Sequence, residues 1–317
     1  MSIKKQLLDK MSLPVIAAPM FIVSGDDLVI ACCKEGILGT FPVLSARTSE
    51  VLDQMLTRIR RELDEYQAEH PEKKVAPFGA NLILHSSNPR AQADIDLVIK
   101  HQVPFVVASV GNPADVVGPI HEYGGIIFAD VATVKHAKSA IAAGVDGLIL
   151  LTGGTGGHTG WLNPFAFVRE VRDFYDGPIV LAGSISHGAS IKAAEVLGAD
   201  FVYMGSRFLA ANESDAVPDY KQMLVDCGAD DIVTSDAVTG LVANFLRPSL
   251  AANGFKFKRD GSLLVEEKEE FDLKNIAGGA KAWKDVWCCG QGINSTKSVI
   301  SVKEIVADLQ QQYDAAG

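Results

Sequence analysis

In the stretch LLTGGTGGHTGW, residues 150–161, glycines crowd around a single histidine, His158, directly after the apolar run GVDGLILL. Gly154, Gly156 and Gly160 stand at G-x-G-x-x-x-G spacing, a near miss to a dinucleotide fingerprint. That fingerprint needs its helix to begin inside the glycines. Here the helix-start pair Asn163–Pro164 comes only after the glycine run has ended. The glycines therefore form a loop, and they allow a backbone to lie close under a planar ligand. A histidine flanked by residues without side chains has little to bury it. An imidazole near its ordinary pKa of about 6.5 suits hydrogen-bonding and proton-transfer roles.

Two further loops carry the pair Gly-Ser. LAGSISHG contains Gly183–Ser184, and YMGSRF contains Gly205–Ser206. Glycine lets phosphate oxygens approach the backbone and serine donates a hydroxyl. A following helix N-terminus favours the negative charge, so the two turns form a phosphate site. The stretch AAPMF presents backbone polar groups and an apolar floor through Ala18, Pro19 and Met20, and GANLIL supplies the Asn81 carboxamide. Donors, an acceptor and a greasy face together suit a flavin ring. Competing chemistries fit less well. There is no G-x-S-x-G elbow, and Ser186–His187 are sequence neighbours, a poor geometry for base activation. The glycine–histidine loop has no cysteine, and no His, Asp or Glu cluster has metal-ligand spacing.

These residues need elements to hold them. Eight short apolar runs recur, at 14–20, 36–43, 77–84, 104–109, 124–131, 144–151, 177–183 and 198–205. Their continuous apolar character suits parallel strands buried on both faces. Helix-like stretches lie between them, with start signals at Ser24, Asn88–Pro89, Asn112–Pro113 and Asn163–Pro164. Eight βα units read as a (β/α)8 TIM barrel, an α/β fold whose function sits on the loops after the strands. A doubly wound sheet would carry its glycine fingerprint at the first strand, where this chain has APMFIVSG. The reading assigns 1–212 to the barrel and 213–317 to a helical C-terminal segment packed on or over it. Within that segment 219–231 and 236–254 look helical, 255–275 is a charged excursion, and SVKEIVADLQQQYDAAG is a surface helix.

Composition narrows the class. With 317 residues and 48% hydrophobic side chains the chain can bury a large core. A net charge of −10 argues against nucleic acid or a membrane surface as partner. MSIKKQLLDK is no signal peptide, and no run is long enough to span a bilayer. Cys32, Cys33, Cys227, Cys288 and Cys289 match no zinc or CxxC spacing and read as buried thiols in a reducing, cytoplasmic compartment.

The motifs AAPMF, FGANLIL, SVGNP, GGTGGHTG, LAGSIS, YMGSRFLA and CCGQG occur in an order that resembles the nitronate monooxygenase family, formerly called 2-nitropropane dioxygenases. That family includes flavin-dependent enoyl-acyl-carrier-protein reductases and some NAD(P)H:quinone reductases. The resemblance runs from about residue 13 to 294. It implies an FMN-binding barrel with His158 as the catalytic residue. Gly183, Ser184, Gly205 and Ser206 would hold the FMN phosphate. Ala18, Met20 and Asn81 would contact the isoalloxazine, with Pro19, Gly156, Gly157 and Ala182 in the same loops. Gln291, in GQG, would return toward the flavin from the C-terminal segment. Two departures stand out: Leu151, where many relatives are acidic, and Asp130, where some reductase-type members have lysine. The implied reaction takes an alkyl nitronate or nitroalkane and dioxygen to a carbonyl compound and nitrite, with His158 hydrogen-bonding the nitro oxygens or removing the α-proton. The alternative is an NAD(P)H-dependent reductase of quinones or enoyl thioesters. A sugar-phosphate aldolase or isomerase and a non-enzymatic flavin carrier are further readings, and a homodimer is one assembly open to the chain, whose oligomeric state the sequence does not reveal.

Overall fold

The β-branched and apolar runs of the sequence become strands whose alternate side chains face two different cores. In the computed structural model, which describes residues 1–264 and 284–317, an N-terminal helix α1 (Ile3–Leu8) precedes β1 (Val15–Ala17). Then come β2 (Leu38–Pro42), β3 (Phe78–Ile83), β4 (Phe105–Ser109), β5 (Ile126–Val131) and β6 (Gly147–Leu151). A two-residue strand β7 (Gly157–His158) stands apart, and β8 (Ile179–Ala182) and β9 (Phe201–Met204) complete the set. β1 to β6, β8 and β9 pair in parallel in that order, and β9 closes on β1. Each barrel strand falls inside one of the eight runs, and the fold is the expected (β/α)8 barrel.

Strand parity separates the two cores. Ile16, Leu38, Phe105, Val107, Phe128, Ile149, Val180 and Phe201 fill the barrel interior, with Leu7 and Met11 of the N-terminal segment packed against them. Their sequence neighbours, such as Val15, Val106, Ile127 and Leu148, face the surrounding helices. Phe105 and Phe128 meet edge to face at 5.0 Å. Glycine makes this possible: a Cβ on Gly147 would lie 2.5 Å from the Phe128 ring, and one on Gly79 2.9 Å from Phe105. At the C-terminal ends of the strands the same inward parity turns polar, giving Asn81, Ser109, Asp130 and Tyr203 above the aromatic plug.

The helices are α2 (Asp26–Lys34), α3 (Ser49–Glu69), α4 (Ala91–Lys100), α5 (Ala114–Glu122), α6 (Val134–Ala142), α7 (Pro164–Arg172) and α8 (Gly188–Leu197). Asn163 caps α7 as expected, accepting from Phe165 N at 2.9 Å with Pro164 in the first position. Asn88 and Asn112 instead make Asx turns onto Arg90 N and Ala114 N, and their helices begin later, at Ala91 and Ala114. Ser24 is not a cap. It is fully buried, accepts from Met20 N at 2.9 Å and donates to Ala18 O at 3.3 Å, which fixes the loop after β1.

After β9 come α9 (Ser206–Leu209), α10 (Pro218–Asp226), β10 (Ile232–Ser235), β11 (Ala243–Leu246), α11 (Arg247–Ala252) and α12 (Val302–Asp314). The stretch 236–254, read as helical, holds a strand before its short helix, because Pro248 starts a new helix and leaves the apolar run before it extended. β10, β11 and β7 form an antiparallel sheet in the order β10–β11–β7. The charged excursion lies outside the described residues from 265 onward. α12 buries Val302, Ile305, Val306 and Leu309 and packs against α8 and α2. It fills the ring position that follows the eighth barrel strand, so the segment between α9 and α12 is inserted before the last barrel helix. No described helix is long and apolar enough to cross a membrane.

Candidate active site

The loops at the C-terminal ends of the strands enclose a cavity of about 900 Å3. Ala18, Pro19, Met20, Asn81, Gly156, Gly157, His158, Ala182, Gly183, Ser184, Gly205 and Ser206 all line it. Gln291 does not. The wall there is Gly290 and Gly292, while Gln291 is exposed and contributes its backbone N–H to Gly154 O at 3.0 Å.

His158 sits on β7, at the rim. β11 runs antiparallel beside it with Ala243 opposite His158 and Asn244 opposite Gly157. Asn244 is fully buried and donates to Thr155 O at 2.6 Å and Gly153 O at 3.1 Å. Thr159 N donates to Val242 O at 3.0 Å. His158 Nε2 is 3.4 Å from Thr239 Oγ1. The histidine is thus carried by a strand and gripped from the C-terminal segment. Burial pushes its imidazole down to about 4. The sequence reading expects an ordinary value. The C-terminal sheet, invisible in the local motif, supplies the desolvation that lowers it.

The glycines around His158 serve close approach of backbones. A Cβ on Gly156 would lie 2.6 Å from Gly290 N, and one on Gly154 or Gly160 would strike Ser184 Oγ or Leu151 O. The loop after the sixth barrel strand (loop six), the Gly183–Ser184 turn after the seventh, β8, and the 288–292 segment are therefore packed directly against one another. Gly183 and Ser184 both have positive φ, +115° and +59°. For Ser184 this is strain of the kind that clusters at binding sites. Gly183–Ser184 and Gly205–Ser206 end adjacent strands, as the phosphate reading requires. Among the described residues the cavity lining contains no Lys or Arg, so the donors they offer an anion are backbone N–H groups and hydroxyls.

The floor carries residues the loop motifs do not reveal. Asn81 Nδ2 donates to Val107 O at 3.2 Å and to Ser109 Oγ at 2.6 Å. Ser109 Oγ in turn donates to Asp130 Oδ2 at 2.5 Å. Both amide hydrogens of Asn81 are spent, so it offers a ligand only its carbonyl oxygen. Asp130 caps no helix: it lies inside β5, half-buried in the cavity lining, and desolvation pushes its carboxyl up to about 7. Ser109 and Tyr203 were missed by sequence reading. Their signal is strand parity: each is an inward position near the end of its strand. Among the described residues no His, Cys, Asp or Glu group could hold a metal ion.

Comparison with known proteins agrees with this architecture. The nitronate monooxygenase family profile matches residues 3–312. A nitronate monooxygenase of Paraburkholderia phytofirmans is 26% identical over 276 residues, 76% of this chain and 75% of that protein. An octahydro-indene-carboxyl-CoA dehydrogenase of Rhodococcus jostii is 28% identical over 237 residues, 75% of this chain but 63% of that protein, so this chain spans less than two thirds of its length. The structure of FabK from Thermotoga maritima superposes with a TM-score of 0.78 at 25% identity, covering 99% of this chain and 96% of that one. With the profile spanning nearly every residue and the barrel, loops and gripped histidine in place, the chain belongs to the nitronate monooxygenase family.

Proposed function

We propose that the cavity holds FMN and that the protein oxidises alkyl nitronates with dioxygen, releasing a carbonyl compound and nitrite. The observation that carries this reading is His158, gripped by the C-terminal sheet at a cavity of about 900 Å3 that the paired Gly-Ser turns also line. Sites for one small ligand run from about 300 to 1,000 Å3, so this volume suits a cofactor together with a small substrate. Ala18, Pro19 and Met20 supply an apolar surface for a flat ring, the Asn81 carbonyl accepts from a ring N–H, and Gly183, Ser184, Gly205 and Ser206 hold the phosphate. Bound FMN supplies the electron acceptor and the place where dioxygen is reduced.

His158 orients the nitronate by hydrogen bonding. Held near 4, it is neutral at pH 7 and a weak base. The site therefore suits a preformed nitronate anion better than a neutral nitroalkane that must lose its α-proton. Visible absorption of the purified protein, followed by anaerobic mixing with propyl-2-nitronate and with NADH separately, tests the proposal. Flavin bleaching by the nitronate supports it. Bleaching by NADH alone sinks it in favour of the reductase reading. That second reading has one observation of its own: the cavity continues to Gly111, Asn112, His136 and Ser139, room for a second, longer ligand.

A further inference from the structure

Asp130 is the charged-type side chain that the floor of the cavity buries and does not pair. Its Oδ2 accepts from Ser109 Oγ, while its Oδ1 is buried with no hydrogen-bond partner. A buried polar atom left without a hydrogen bond is costly, which asks for a ligand atom opposite it. The chain of donors settles which kind of atom. Asn81 donates to Ser109 and Ser109 donates to Asp130, so Oδ2 is an acceptor and the acid proton resides on Oδ1. Oδ1 is then an O–H donor on a cavity-lining residue, and the Asn81 carbonyl, an acceptor, belongs to the other cavity-lining residue bonded to Ser109 Oγ. A donor and an acceptor tied to one hydroxyl match a ring carbonyl next to a ring N–H, the pattern of an imide edge.

We infer that Asp130 is a cofactor-binding residue that acts in its neutral form, donating from Oδ1 to a ring carbonyl of the flavin while Asn81 accepts from the adjacent ring N–H. The inference rests on the FMN reading above. It makes flavin retention pH-dependent. Below its titration the carboxyl donates. Above it a buried carboxylate faces a carbonyl oxygen and repels it. Asp130 has the right protonation behaviour, since burial pushes it up to about 7 with Ser109 as the opposing influence. The neighbouring strand β6 brings only Ile149 and Leu151 to this level. Among the described residues the other titratable groups lining the cavity are His136, His158, Tyr203, Tyr220, Cys288 and Cys289, with no Lys or Arg to hold the carboxylate charged.

The test is FMN titration into the full chain stripped of flavin, read by quenching of flavin fluorescence, from about pH 6 to 8.5. Asp130→Asn keeps the acceptor for Ser109 and replaces the O–H by an N–H that cannot ionise. The phosphate titration near pH 6 is common to both proteins, so the ratio of their affinities isolates Asp130. The wild type should weaken relative to D130N by about tenfold or more across this range, one decade for each unit above the titration point. Ser109→Ala removes the bond that favours the ionised carboxyl and should shift the loss to higher pH. A ratio that stays flat with pH, or an S109A curve superimposable on wild type, overturns the inference and leaves the flavin reading intact. Absence of FMN binding at every pH sinks both.

Discussion

The Asn244 side chain donates to the carbonyl oxygen of Thr155 at 2.6 Å, and this bond ties the C-terminal sheet to the loop that carries His158. The same carboxamide reaches Gly153 O, and its oxygen accepts from Thr234 Oγ1 at 2.5 Å. One buried side chain from the insertion thus satisfies two carbonyls that a glycine-rich loop cannot satisfy for itself. Asn244→Ala should cost about 2–3 kcal/mol, because buried acceptors are left unpaired. On the proposed FMN reading it should also lower turnover more than it lowers flavin affinity, since the two Gly-Ser turns stay in place. Thermal unfolding and kcat measured on the same preparation check both parts. Loss of FMN with kcat per bound flavin unchanged would show that the loop does not depend on this grip.

His158 gives a pH prediction whose sign is fixed by its environment. Its folded value, about 4, lies below the unfolded value of about 6.5. Between these the unfolded chain binds more protons, so the contribution of His158 to stability is full above about 6.5 and is lost as pH falls toward 4. Urea unfolding at pH 7 and pH 5 should show a drop in wild type that His158→Asn makes smaller. In the folded protein the ring resonances of His158 should titrate near 4. A midpoint near 6.5 would mean that the β11 grip does not desolvate the ring.

The glycines of loop six act by allowing contact, and two alanine substitutions separate this from backbone entropy. At Gly156 a Cβ would press on the backbone of Cys289 and Gly290. At Gly228, in extended backbone with φ −122°, it would meet nothing within 4 Å. Gly228→Ala should stabilise by about 0.4–1 kcal/mol by restricting the unfolded chain. Gly156→Ala should destabilise, and it should displace the 288–292 wall and weaken FMN binding. Equal and opposite shifts in Tm without any change in flavin affinity would refute the packing account of loop six.

The barrel is legible in the sequence because parallel strands buried on both faces leave unbroken apolar runs, and all eight coincide with strands. The candidate site is legible where its lining comes from local motifs: His158, Gly183–Ser184 and Gly205–Ser206. It is not legible where long-range pairing decides. Gly157–His158 becomes a strand only because Ala243 and Asn244, more than eighty residues away, pair with it. The lowered His158 and the exposed Gln291 follow from that tertiary context. Ser109 and Tyr203 belong to a layer of inward positions that parity along each run specifies, whereas attention to glycine and histidine does not. The helix at 302–314 reads as a surface helix by its polar face, and only its packing between α8 and α2 shows that it closes the ring.

That last helix is fastened to the Gly205–Ser206 turn by charge, which yields a further prediction. Arg207 follows Ser206 directly and is buried, and its Nη2 lies 2.8 Å from Asp308 Oδ2 on α12. The Asp308 side chain is 42% exposed, so it can be rehydrated, but the guanidinium cannot, and its Nε already lacks a partner. Removing either side of the pair is therefore asymmetric. Asp308→Ala leaves a buried cation unpaired and should destabilise by about 2–3 kcal/mol, below the usual cost of breaking a fully buried pair because one partner faces water. Arg207→Met keeps much of the volume, removes the charge and releases Asp308 to solvent, so its cost should be smaller. Urea unfolding of the two variants and of the double variant gives the comparison. D308A should also loosen FMN, since the strain falls next to Ser206. If R207M proves as damaging as D308A, packing of the side chain and not its charge holds α12 to the turn.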